Sequence, residues 1–205
     1  MENLNGDRRP TLIKRHWNPK SFSDRTVEKE KLSILVETAR QTESYRNEQP
    51  WSFIIATKDD PLHYHSLLSC LALPSLNLAR TAPVLVLALA KLNFDSDGTR
   101  NKYAFHDLAQ AVSNIVLRAG ALGLQAHQIA GFDAAAARRQ FQIPEGHDPV
   151  AVIALGYPFE GHSPSRDLLR EAGVGGPLRS VESIAFAGRW GEPAALPGPT
   201  LRPCP

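Results

Sequence analysis

The chain has 205 residues, of which 42% are hydrophobic and 21% charged, and a formal net charge of +2. The length predicts one domain with a substantial core, and the small net charge gives no reason to expect nucleic acid as a partner. The two cysteines, Cys70 and Cys204, exclude a disulfide framework and a cysteine-based metal cluster. No apolar run approaches membrane-spanning length or resembles a secretory signal, so we expect a cytoplasmic protein.

The first elements follow a basic segment at residues 14–22. A helix is predicted over 27–40, because its apolar residues recur on one face and Thr26 is a plausible N-cap. A polar turn at residues 43–49 follows this helix. A strand is then predicted over 51–57, since the proline at its start has no amide to donate and suits that position.

The middle of the chain predicts two helices around a buried strand. Asp60 and Pro61 are typical of an N-cap followed by the first helical residue, and we expect Pro74 to end this helix. The continuous apolar run at 84–90 indicates a strand covered on both faces. The longest helix is predicted over 102–122, and its wide apolar surface indicates a central helix or one shared with a second subunit.

The last third of the chain contains shorter elements. Residues 123–131 lead into a short helix capped by Asp133, and residues 150–156 predict another buried strand. Residues 181–186 predict a last strand or an extended arm. The Pro-rich tail at 193–205 has no apolar periodicity, so we expect it to lie outside the domain formed by residues 1–192. The irregular order of helices and strands favours an α+β fold with a mixed sheet.

Common catalytic and nucleotide-binding motifs are absent from the sequence. The segment Gly173-Val-Gly-Gly lacks the third glycine of a Rossmann turn, and there is no P-loop. His63 and His65 point apart on a helix, so we expect no metal site there. His106 and Asp107 are helix neighbours, whose side chains do not face each other. We therefore expect no dedicated catalytic residue, and a cofactor to carry the chemistry if the protein is an enzyme.

Two polar segments leave alternatives open at this point. The polar turn, by itself, is most simply an ordinary loop, although it could also hold a flat heteroaromatic ligand. The cluster of Lys14, Arg15, His16 and Lys20 is either a solvated surface or a grip for a phosphate group. Arg80 and Arg179 are further candidate cations for such a grip.

In their order, several segments resemble the FMN-dependent nitroreductase family. The resemblance covers about residues 12–192, and each motif is short, but the shared order is specific. The motifs read Trp17-Asn-Pro-Lys-Ser-Phe22, Thr42-Glu-Ser-Tyr-Arg-Asn-Glu-Gln-Pro-Trp51, Gly123-Leu-Gln-Ala-His-Gln-Ile-Ala-Gly-Phe-Asp133, Ile143-Pro-Glu-Gly146, Leu155-Gly-Tyr-Pro158 and Phe186-Ala-Gly-Arg-Trp-Gly191.

This resemblance implies a nitroreductase-like three-layer α+β fold, with a mixed, mainly antiparallel central sheet flanked by helices. It also implies an intertwined homodimer that shares two FMN sites, with no membrane or nucleic-acid partner. The implied activity is ping-pong hydride transfer from NADH or NADPH, through flavin N5, to a nitroaromatic, quinone or similar flat acceptor. No metal is implied.

The resemblance also implies which residues bind the cofactor. The phosphate and ribityl contacts fall on Arg15, His16, Asn18 and Lys20, with Arg179 as a C-terminal phosphate contact. The contacts to the flavin ring and its polar edge fall on Ser44, Tyr45, Asn47, Asn77 and Arg80. The backbone of Ala130 and Gly131 matches the segment beside flavin N5.

The chain departs from the family pattern at several of these positions. His16, Asn18 and Lys20 replace arginine, serine and arginine, and a lysine offers a point charge where arginine offers a bidentate fork. Glu43 and Tyr45 add a negative charge and bulk beside the expected flavin. These changes leave a second hypothesis open, in which the same fold binds flavin without catalysis. A third is an interaction protein whose site has decayed.

Overall fold

The computed structural model describes residues 21–159 and 179–196, which fall in two separate compact units. The predictions for Arg15, His16, Asn18 and Lys20, and for the loop at 173–176, lie outside the described residues. So does most of the Pro-rich tail. The division of the chain at residue 192 stays a prediction.

A four-stranded sheet forms the centre of residues 21–159. Its strands are β1 (Trp51–Thr57), β2 (Val84–Lys91), β3 (Gln125–Ile129) and β4 (His147–Gly156). They lie in the order β1-β2-β4-β3, and every pairing among them is antiparallel. The mainly antiparallel sheet is confirmed, whereas the parallel pairing that a mixed sheet needs is not among the described strands.

Five helices cover the two faces of this sheet. They are α1 (Lys29–Arg40), α2 (Pro61–Ser69), α3 (Leu73–Ala79), α4 (Ala104–Ala121) and α5 (Ala134–Gln140). One core cluster joins α1 and α4 to the sheet, and a second cluster joins α2, α3 and α5 to it. Alternate residues of β2 enter the two clusters, since successive side chains of a strand point to opposite faces. The predicted three-layer α+β arrangement is therefore confirmed.

Several local predictions from the sequence are confirmed. β1 spans residues 51–57 as predicted. The Asp60 side chain accepts a hydrogen bond from the backbone amide of His63, with Pro61 at the start of α2. The Asp133 side chain caps α5 by accepting a hydrogen bond from the amide of Ala136 at 2.8 Å. In each case a short polar side chain satisfies an amide that the first helical turn leaves unpaired.

Four predictions were wrong in detail. Pro74 lies in the first turn of α3, where a missing amide costs nothing, and does not end α2. The segment 123–131 contains β3, whose polar residues hid a strand at the edge of the sheet. The cap of α1 is Glu28, which makes no side-chain capping hydrogen bond, and not Thr26. Residues 181–186 form no strand.

Residues 179–196 are the described part of the second compact unit. A 3₁₀ turn spans Val181–Ser183, and Phe186 and Pro193 form an isolated antiparallel bridge. Pro193, and Gly188 with φ of +79°, favour turns over an extended strand. Within the described ranges, no helix has the length and apolar character needed to cross a membrane.

Candidate functional site

The polar turn lies between α1 and β1, and several hydrogen bonds that involve side chains hold it in place. The backbone amide of Tyr45 donates to the Asp107 carboxylate at 2.9 Å. The hydroxyl of Ser44 accepts from the amide of Gln49 at 2.9 Å, and the side-chain oxygen of Asn47 accepts from the side-chain amide of Gln49 at 3.1 Å. The predicted contacts Ser44 and Asn47 therefore already hold the turn in shape.

The backbone of the polar turn is strained. Arg46, Asn47 and Gln49 have φ values of +56°, +55° and +48°, in the left-handed region. Asparagine tolerates this region, whereas arginine and glutamine lose about 1 kcal/mol or more there. Such strain persists only where surrounding contacts hold it, and it is found most often at functional sites.

A second loop, at residues 92–103, supports the polar turn. The largely buried Glu48 accepts a hydrogen bond from the amide of Asp95 at 2.6 Å and lies 3.7 Å from the ammonium group of Lys91. The Tyr45 ring packs against Tyr103, with ring centroids 4.4 Å apart, and more loosely against Phe94. The side chain of Tyr45 is 41% exposed, so one part of this surface faces solvent.

Ala130 and Gly131 form a second candidate region, just after β3. Both residues are exposed, and the carbonyl of Gly131 accepts a hydrogen bond from the amide of Ala72 at 3.1 Å. Within the described part of the chain, the amides of Ala130 and Gly131 donate no hydrogen bond. Two exposed amides without partners can bind an acceptor atom of a ligand. They suit the polar edge of a flavin.

Asn77 and Arg80 lie beside this second region. Ala72 is the N-cap of α3, so the hydrogen bond from Ala72 to Gly131 places the start of the helix against the end of β3. Asn77 is exposed on α3, and Arg80 is exposed at its end. The amide of Phe22 donates to the Thr81 hydroxyl at 3.0 Å. This hydrogen bond places Phe22 next to the residue that follows Arg80.

The structure thus places the predicted site residues in separate groups. Ser44, Tyr45 and Asn47 precede β1, whereas Ala130 and Gly131 follow β3, and these are the two outer strands of the sheet. At about 4.8 Å between neighbouring strands, the two groups are about 14 Å apart across the sheet. Arg179 belongs to the other compact unit, where its guanidinium donates to the carbonyl of Ser183 at 2.7 Å.

Two further residues belong to this description: Asp107, which the sequence analysis set aside, and His127, to which it gave no role. Asp107 is buried, and its second oxygen lies 3.0 Å from Nδ1 of His106, so the prediction that these two side chains do not face each other was wrong. The sequence feature that could have indicated a role for Asp107 is its position as an acid in the first turn of a mostly apolar helix. His127 lies on β3, three residues before Ala130, and burial lowers the pKa of its ring. Among the described residues no cluster of potential metal ligands is present.

Comparison with known proteins identifies the fold. A relative from Mycolicibacterium smegmatis, named an uncharacterized 15.4 kDa protein, is 32% identical over 115 residues, which cover 56% of this chain and 76% of the relative. A second, from Methanothermobacter thermautotrophicus, is named a putative NADH dehydrogenase/NAD(P)H nitroreductase. It is 27% identical over 169 residues, which cover 76% of this chain and 80% of the relative.

A solved structure has a similar fold. The chain is similar to the crystal structure of an oxidoreductase containing FMN, with a TM-score of 0.79 and 24% identity, covering 94% of this chain and 100% of the other. At this identity the similarity establishes the fold alone. A model of the nitroreductase family matches residues 71–157, which include α3, α4 and the three strands β2, β3 and β4. The chain belongs to the nitroreductase family.

Proposed function

We propose that this protein is an FMN-dependent oxidoreductase, which takes a hydride from NADH or NADPH and passes it to a nitroaromatic, a quinone or a similar flat acceptor. The observation that carries the proposal is the pair of exposed amides at Ala130 and Gly131, which donate to no described residue and lie beside a helix that presents Asn77 and Arg80. Flavin, when bound, would supply the hydride chemistry.

The residues of the chain would bind and orient the cofactor. The amides of Ala130 and Gly131 would donate hydrogen bonds to the ring edge, and Asn77 and Arg80 would contact its polar groups. Arg15, His16, Asn18 and Lys20, with Arg179, would hold the phosphate and ribityl chain. A group of cations suits a phosphate, because hydrogen bonds between charged groups are stronger than those between neutral groups.

We propose further that two chains share each flavin. In one chain the polar turn is separated from Ala130 by the width of the sheet, so Ser44, Tyr45 and Asn47 would serve the flavin of a second subunit. Exposed apolar side chains on α4 agree with a partner there, since Phe105 and Leu117 are 42% and 43% exposed. Size measurement in solution by light scattering tests the homodimer directly.

A second candidate function is flavin binding without catalysis. The specific observation in its favour is Tyr45, a large residue where the family pattern has a small one. Its backbone amide donates to Asp107, and its ring packs against Tyr103. A ring in this position could cover the flavin face that the donor and acceptor need. Bound FMN that neither NADH nor NADPH reduces would favour this candidate.

Equilibrium titration with FMN tests the proposed binding site. Arg80→Met removes a predicted contact and keeps the length of the side chain, so we expect the Kd for FMN to rise about tenfold, the effect of about 1.4 kcal/mol. Arg118→Met, an exposed change at the far end of α4, is the matched control and should leave the Kd unchanged. Equal Kd values for all three proteins would refute the role of Arg80.

A further inference from the structure

The polar turn presents an aromatic platform, which consists of Tyr45, Phe94 and Tyr103. The Tyr45 centroid lies 4.4 Å from that of Tyr103 and 6.0 Å from that of Phe94. Phe94 is buried and Tyr103 half-buried, so they support the partly exposed Tyr45 from below. An exposed ring with rigid support is a surface on which a flat ligand can stack.

Two cations lie over the rings of this platform. The guanidinium carbon of Arg46 is 5.3 Å from the Tyr45 centroid and 5.4 Å from that of Phe94, and the Lys102 ammonium group is 5.0 Å from that of Tyr103. Both side chains are exposed, and neither forms an ion pair with any residue that the structure describes.

Four nearby carboxylates, in contrast, already have partners. Asp95 pairs with Lys91, and Asp97 accepts hydrogen bonds from the amide and hydroxyl of Thr99. Glu48 and Asp107 accept from backbone amides of the two loops. Hydrogen bonds from Thr99 and, more weakly, the charge of Arg46 lower the pKa of Asp97. Arg46 and Lys102 nevertheless form no ion pair with a described residue, so they favour a ligand that carries an anionic group.

We propose that the aromatic platform selects flat aromatic acceptors that carry an anionic group, with Arg46 and Lys102 as its specificity-determining residues. The ligand ring would stack on Tyr45, and its carboxylate or sulfonate would face the two cations. This inference rests on the proposed function, since it names the acceptor class of the same enzyme. A pyridine nucleotide also joins an aromatic ring to anionic groups, so the experiment must separate acceptor from donor.

The test compares steady-state kinetics with 4-nitrobenzoate and with 4-nitrobenzyl alcohol, a neutral acceptor of similar size. Arg46→Gln and Lys102→Gln should each raise KM for 4-nitrobenzoate about two- to fivefold, the effect of an exposed charge contact of up to about 1 kcal/mol. kcat and the KM for the alcohol should not change. Glutamine and arginine have a similar cost in the left-handed region, so Arg46→Gln should not change the strain of the turn. Arg118→Gln is the matched control.

Three results would overturn the proposal. The first is an equal rise in KM for the neutral acceptor, and the second is an unchanged KM for 4-nitrobenzoate. The third is a rise only in the KM for NADH or NADPH, which would assign the two cations to donor binding. Calorimetric binding of 4-nitrobenzoate to the oxidised protein gives a readout without turnover. If the protein reduces no acceptor, the proposed function is wrong. In that case, weaker calorimetric binding of 4-nitrobenzoate to Arg46→Gln than to the unchanged protein still supports the platform, and equal binding overturns it.

Discussion

The buried carboxylate of Asp107 accepts a hydrogen bond of 2.9 Å from the backbone amide of Tyr45, 62 positions earlier in the chain. This contact ties the first turn of α4 to the polar turn. The acid also lies at the helix N-terminus, where the helix dipole stabilises a negative charge. We infer that Asp107 is a positioning residue, which holds Tyr45 and the strained residues after it in place.

Replacing Asp107 tests this role. Asp107→Ala should lower the free energy of unfolding by about 2 kcal/mol, because a hydrogen bond to a charged acceptor is lost inside the protein. Asp107→Asn keeps an acceptor oxygen and should lose about half as much or less. Urea denaturation measures both values. The positioning role is wrong if the alanine and asparagine variants lose the same stability, or if hydrogen exchange in the polar turn is unchanged in both.

Gly156 is predicted to tolerate no side chain. A Cβ atom there would lie 2.5 Å from Cδ of Pro83 and 3.0 Å from Cδ1 of Phe22. Since a proline ring cannot move aside easily, Gly156→Ala should destabilise the protein by about 1–3 kcal/mol. Gly120→Ala is the control, because nothing lies within 4 Å of its Cβ position in α4. There alanine should stabilise the helix by up to about 1 kcal/mol. Thermal unfolding of both variants measures the difference, and equal effects would contradict it.

Stability should fall with acid partly through Glu28. The Tyr157 hydroxyl donates to its carboxylate at 2.6 Å, and this hydrogen bond, with that from Arg25, lowers the pKa of Glu28 from about 4.5 to about 2. A carboxyl whose pKa is lower in the folded state stabilises the fold above its ordinary pKa, and this contribution is lost as pH falls from about 4.5 towards 2.

Urea denaturation at pH 7 and pH 3 measures this contribution. The loss of stability between the two pH values should be smaller in Glu28→Gln than in the unchanged protein, because glutamine does not titrate. Glu30→Gln, an exposed change on the same helix, serves as the matched control. An equal loss in the unchanged protein and in Glu28→Gln would show that the hydrogen bond from Tyr157 contributes no pH dependence.

The sequence predicted the elements that follow strong local rules. β1, β2 and the caps at Asp60 and Asp133 depend on apolar runs and on short polar side chains, which act within a few residues. β3 was missed because its pairing partner, β4, lies far along the chain and its own residues are polar. Long-range pairing of this kind leaves little local signal.

The candidate site was predictable as a set of residues but not as an arrangement. The family resemblance indicated Ser44, Asn47, Ala130 and Gly131. Only the fold shows that the first two hold the polar turn, while the amides of the last two donate to no residue in the described ranges. Asp107 was set aside because adjacent helix residues were not expected to face each other, although His106 and Asp107 lie 3.0 Å apart at their side chains. Its role depends on a backbone amide that the sequence does not place nearby.

The most direct test of the proposed function is an anaerobic titration of the purified, FMN-loaded protein with NADH and with NADPH, followed by the visible spectrum. We predict that the protein takes up FMN, that at least one of the two donors removes the blue absorbance of the oxidised flavin, and that a nitroaromatic or a quinone restores it. A protein that takes up no FMN, or whose bound FMN neither donor reduces, would contradict the account.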